Sequence, residues 1–223
     1  MTTTALPSLS LLETRVLGVL VEKQHTVADT YPLTLNALIA GCNQKTSRDP
    51  VLSATDAEVQ STIDRLKSLS LIVESSGGRV MRYAHNVERV LGLPSQAVAL
   101  LATLMLRGPQ TLGELRINSD RLHRFADISA VDAFLQELAA RPSGALVAEL
   151  RRAPGSRENR WMHLLSGARP PDAAPADGSA PDSDDVVTMS ELAALKVNVR
   201  HLEEELEALK RTVADLRSEL GGA

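Results

Sequence analysis

Cysteine is nearly absent from this 223-residue chain, and the single one, Cys42, excludes an internal disulfide and any zinc site built on several thiolates. Aromatics are almost as scarce. One Trp, two Tyr and two Phe leave little with which to stack bases, and a net charge of −4 excludes a generally basic nucleic-acid coat while leaving room for local basic patches. No stretch is apolar enough to span a bilayer, and Met1 to Ser10 lack the basic and apolar regions of a signal peptide. The expectation is a soluble, cytoplasmic protein without membrane contact. The sequence also lacks a GxxxxGK[ST] loop, GxGxxG, HExxH and GxSxG, so the familiar phosphate-binding and hydrolytic devices are missing. What it does have is 43% hydrophobic residues, ample for buried cores.

Charge divides the chain. Residues 1–166 hold 18 Lys/Arg against 16 Asp/Glu, and residues 167–223 hold 6 against 12. Within the acidic part, Gly167 to Val187 has four prolines, five aspartates and almost no large apolar side chain, the composition of a disordered linker over 167–187. Such a tether reaches roughly 25 Å as a flexible coil. Beyond it, Leu192, Leu195, Val199, Leu202, Leu206, Leu209, Val213, Leu216 and Leu220 alternate steps of three and four. That period of 3.5 keeps one stripe facing a partner and predicts a parallel coiled-coil helix over 188–220. Glu191 with Lys196 and Glu205 with Lys210 are attractive cross-pairs, Thr188 and Glu191 form a capping box, and Gly221-Gly222 ends the helix. A homodimer through this helix is expected, the alternative being that it folds back on its own body.

The first 166 residues read as a repeated unit. Leu11 to Lys23 has an amphipathic helical pattern, Leu35 to Cys42 a second helix started by Pro32 and Thr34, and Thr55 to Leu69 a third. Leu71 to Glu74 and Arg79 to His85 read as strands around a turn at Ser75 to Gly78. Helix, helix, helix, hairpin then recurs as Ser95–Leu106, Thr111–Ile117, Val131–Ala140, Ala145–Arg152 and Arg160–Leu165, about 70 to 80 residues on. Leu35 matches Leu112, Leu38 matches Leu115, Val59 matches Val131 and Leu66 matches Leu138. This order predicts a mainly α chain with small β-hairpins: two winged-helix domains in tandem, at 9–88 and 93–166, followed by the C-terminal coiled coil. Each unit is small for an independent core, so the two should pack together.

Glu22 to Val51 (EKQHTVADTYPLTLNALIAGCNQKTSRDPV), Leu106 to Arg116 (LRGPQTLGELR) and Pro154 to Leu165 (PGSRENRWMHLL) closely resemble the bacterial YceH-like family, whose members have no assigned function. The resemblance covers residues 9–166 and implies two winged-helix domains in tandem. It brings no activity, cofactor or binding residue to carry over.

The residue types point away from catalysis. His25, His85, His123 and His163 are dispersed without metal-ligand spacing, Cys42 sits in an apolar helix as a small hydrophobe, and Glu13 and Glu22 do not share a helix face closely enough to form a catalytic pair. No cofactor or metal is expected. A winged helix often reads duplex DNA through its third helix, yet here those helices carry Asp56, Glu58 and Asp64 against Arg65 and Lys67, then Asp127, Asp132 and Glu137 against Arg141. The candidate phosphate contacts lie elsewhere: Lys45 and Arg48 between the second and third helices, Arg79 and Arg82 on the first hairpin, and Arg151, Arg152, Arg157 and Arg160 on the second. Asn43, Gln44 and Ser47 are candidates for base edges. The expected function is a non-enzymatic, nucleic-acid-associated regulator holding phosphates with basic wings, the rival being a scaffold whose body docks a protein partner.

Overall fold

A computed structural model describes residues 7–76, 80–152 and 158–167. Arg79, Arg157, the linker beyond residue 167 and the heptad helix at 188–220 lie outside the described residues. Those described are mainly helical, with seven α-helices and two small antiparallel sheets. The order is α1 (Leu11–Thr26), β1 (Leu33–Thr34), α2 (Leu35–Cys42), α3 (Asp56–Ser68), β2 (Ile72–Ser75), β3 (Arg82–His85), α4 (Val87–Leu91), α5 (Ser95–Arg107), α6 (Leu112–Asn118), α7 (Ile128–Ala139), β4 (Val147–Leu150) and β5 (Arg160–His163).

Short polar signals start these helices. Ser10 with Glu13, Thr55 with Glu58 and Thr111 with Glu114 each form a complete capping box, the hydroxyl accepting from the N3 amide and the carboxylate accepting from the cap amide. Thr34 caps α2 by accepting from Ala37 N, and Asp127 caps α7 by accepting from Ala130 N. The Asp127 cap is why α7 begins at Ile128, a turn ahead of the pattern that starts at Val131. α4 escapes the sequence pattern because it is a single turn, closed by Gly92 at φ +61°.

α1 departs from its amphipathic reading. Every residue from Glu13 to Val21 is buried, polar ones included, because α2 and α3 cover one side and α5 the other. α5 is equally enclosed from Ala97 to Leu106. The two pack at close range: a Cβ on Gly18 would lie 2.9 Å from Leu106 Cδ2. This pair is the spine of one contiguous apolar core that runs from Leu9 to Leu165 and draws on both repeats. Leu38 and Leu115, Val59 and Val131, and Leu66 and Leu138 are buried as matched pairs, while Leu35 and Leu112 pack at the core's edge.

The sheets repeat as well. β3 pairs with β2 from Ile72–His85 to Ser75–Arg82, and β5 pairs with β4 from Val147–His163 to Leu150–Arg160. β1 adds Leu33–Tyr83 to the first sheet, and a single bridge, Gln110–Trp161, stands in its place in the second. β1 is only two residues long and carries no alternation to read. Both hairpins are shorter than expected: β3 starts at Arg82, leaving Val80 and Met81 exposed outside it, and β4 ends at Leu150.

Candidate functional site

The loop from Asn43 to Val51 follows α2 and is held from behind by two buried arginines. Arg15, fully buried on α1, donates from Nη1 to Cys42 O at 3.1 Å and from Nη2 to Pro50 O at 2.6 Å. Burial holds its pKa below the ordinary arginine value, and neighbouring Arg48 lowers it further. Arg48 is itself only 6% exposed. Its guanidinium donates to Gly41 O at 3.2 Å and Ser47 O at 2.8 Å, and forms a two-pronged pair with Glu22, Nη2 to Oε2 at 2.6 Å and Nη1 to Oε1 at 3.2 Å. Burial alone would raise the Glu22 carboxyl; the hydrogen bonds and charge of Arg48, with Lys23 adding, hold it below its usual value.

The polar residues of the loop are engaged too. Asn43 donates to Ala54 O and accepts from Ala54 N, both at 2.8 Å, closing the loop like a strand pair. Gln44 donates to Thr46 O at 3.1 Å, and Ser47, in the left-handed region at φ +58°, accepts from Arg107 Nη2 at 2.7 Å. Lys45 alone among these candidates points outward, exposed.

On the hairpins, Arg82 and Arg160 stand 78 residues apart and do the same job. Arg82 Nη1 donates to Thr30 O at 3.0 Å and Pro32 O at 2.8 Å; Arg160 Nη1 donates to Pro109 O at 2.7 Å while Nη2 meets Glu114 Oε1 at 3.1 Å. Each ties the last strand of its unit to the segment that leads into the second helix. After each arginine comes a buried ring, Tyr83 or Trp161, and then a histidine, His85 or His163. The repeated Arg-aromatic-x-His was a sequence signal for this structural duty. Burial pushes both imidazoles down to about 4, and the Nδ1 atom of each lacks a partner. Arg151 and Arg152 are exposed on the second hairpin.

Neither third helix turns a free cation outward. On α3, Arg65 Nε lies 2.5 Å from Glu13 Oε1 and Lys67 Nζ lies 2.5 Å from Glu74 Oε1. α7 contains no Lys or Arg, and Arg141 just beyond it donates to Leu91 O at 2.7 Å. Asp56 and Asp64 on α3 and Glu137 on α7 remain exposed.

Cys42 is fully buried, and desolvation pushes its thiol up to about 12, so it packs as a hydrophobe. Among the described residues no group of three His, Cys, Asp or Glu side chains could hold a metal ion, and no helix is long and apolar enough to cross a membrane.

Comparison with known proteins agrees with the resemblance seen in the sequence. A family model described as "Protein of unknown function, DUF480" matches residues 9–156. A UPF0502 protein of Burkholderia pseudomallei (strain 668) is 59% identical over 217 residues, 97% of this chain and 91% of that protein. A UPF0502 protein of Dechloromonas aromatica (strain RCB) is 60% identical over 204 residues, 92% of this chain and 93% of its own. The chain therefore belongs to the DUF480/UPF0502 family of uncharacterised bacterial proteins.

Proposed function

We propose that this chain is a non-enzymatic tandem winged-helix protein, its domains at 9–88 and 93–166, whose body docks a protein partner and whose 188–220 helix pairs two copies. The helix-helix-helix-hairpin order in each repeat supports the fold reading. The observation that carries the docking reading is the state of the cations. On α3, the helix a winged-helix domain would lay in a DNA groove, both basic side chains meet carboxylates within the fold, and its counterpart α7 has none. A bare carboxylate about 5 Å from a phosphate costs roughly 1 to 3 kcal/mol between bulk-water and surface dielectric values, enough to cancel the 1 to 3 kcal/mol of a good base contact. The same acids suit a basic or hydrogen-bond-donating protein surface.

A second reading, nucleic-acid association led by the wings, is favoured by exposed Lys45, Arg151 and Arg152. Nuclease-treated capture experiments with the full chain separate the two. Retention of a partner after nuclease treatment, lost on combining Asp64→Lys with Glu137→Lys, supports docking. Loss of all retained material on nuclease treatment, with no effect of the two lysines, supports the wing-led reading.

A further inference from the structure

A cleft of about 160 Å³ opens where the two repeats meet. The last turn of α1 gives Glu22, Lys23 and Thr26 to its wall, the loop gives Gln44 and Ser47, the end of α5 gives Arg107, the end of α6 gives Asn118, and the turn after it gives Arg121. Three cations, Lys23, Arg107 and Arg121, thus line it against one carboxylate. That carboxylate is already saturated: Glu22 accepts from Arg48 on both oxygens, and Lys23 Nζ sits 3.4 Å from Oε2.

Arg107 is half-buried and meets no carboxylate; its one hydrogen bond is to the neutral hydroxyl of Ser47. Desolvation weighs most against its protonated form; the charge of Glu22 favours that form in part, and the charge of Arg48 opposes it, leaving the guanidinium below its ordinary value. Arg121, exposed at the mouth, makes no ion pair among the described residues. A fold gains nothing in stability from gathering unneutralised cations around a concavity, and such convergence marks a place where a ligand supplies the missing charge.

We propose that this cleft is a binding site for a phosphate group, either the free ion or the head of a small phosphomonoester. Arg107 supplies planar guanidinium donors from the wall, Arg121 closes on the anion from the mouth, and Lys23 adds a point charge. The volume equals roughly five waters, room for one tetrahedral oxyanion and not for an enclosed nucleoside. Because the walls come from α1 and the 43–51 loop on one side and α5 and α6 on the other, the bound anion would bridge the two repeats and tune how firmly they are joined.

The test is calorimetric titration of the full chain with inorganic phosphate and, separately, glycerol phosphate, against chloride at matched ionic strength. Saturable binding near one site per chain is expected, weakened about tenfold or more by Arg107→Gln and by Arg121→Gln and unchanged by Arg89→Gln on α4. Tighter binding of glycerol phosphate identifies an ester as the occupant, and tighter binding of inorganic phosphate identifies the free ion. In phosphate-free buffer Arg121→Gln should melt with the unmodified chain, so its loss of binding is not unfolding. Absence of saturable binding to the unmodified chain, or affinity in both cleft variants equal to that of the unmodified chain, overturns the proposal. Neither result depends on Asp64 or Glu137, so the docking reading stands or falls separately.

Discussion

Arg48 shows how little a residue type says about its duty until its surroundings are known. In the sequence it is one of eight basic candidates for phosphate; in the fold its guanidinium is enclosed and meets a carboxylate 26 residues away. Removing the charge of Glu22 while leaving Arg48 in place strands a buried cation, so Glu22→Gln should lower stability by about 2 to 3 kcal/mol in urea unfolding. The histidines make a second residue-scale prediction. His85 and His163 have folded pKa values near 4 against an ordinary 6.5, so the unfolded chain binds protons first as pH falls. Their stability contribution is complete above pH 6.5 and is lost between there and 4, by up to roughly 3 kcal/mol for each. Thermal melts across this range should show that fall, and it should flatten in a chain carrying His85→Gln and His163→Gln.

At the scale of elements, close approach and tethering decide the outcome. A Cβ on Gly41 would sit 2.5 Å from Val19 Cγ1, so any larger residue there forces Val19 or the packing of α2 on α1 to shift. Gly41→Ala should cost about 1 to 3 kcal/mol, measured as a shifted denaturation midpoint with unchanged slope. Arg160→Gln removes the hook to Pro109 and one exposed ion pair, a loss of about 1 kcal/mol, with partner binding intact if the hook is structural. Much of this level was legible beforehand. α2 falls at its expected bounds because Thr34 starts it, and α3 lies between the predicted Thr55 and Leu69. The hidden part is long-range: α1 looks amphipathic because Glu13 and Arg15 look like a solvent face, and only Arg65, Cys42 O and Pro50 O, brought in from distant segments, make their burial tolerable. For the same reason Arg82 and Arg160 read as phosphate donors, since their carbonyl partners lie 50 and 51 residues away.

For the whole molecule, one core unites both repeats, so neither should persist when separated from the other. The heptad at 192–220 belongs to the sequence rather than to the described structure, and it carries the proposal of a homodimer. Leu206→Pro should convert the chain to monomers in sedimentation velocity, and a variant that stays dimeric would remove that helix as the cause. Both cations of α3, the helix a DNA reader would lay in the groove, are engaged by carboxylates of the fold itself. The most direct test of what this implies is fluorescence anisotropy of mixed-sequence duplex DNA with the full chain, over a salt series starting at low ionic strength. The expectation is no saturable binding at any salt. Binding whose logarithm falls with log salt at a slope equivalent to about four or more phosphates, abolished by neutralising Arg151 and Arg152, would contradict it.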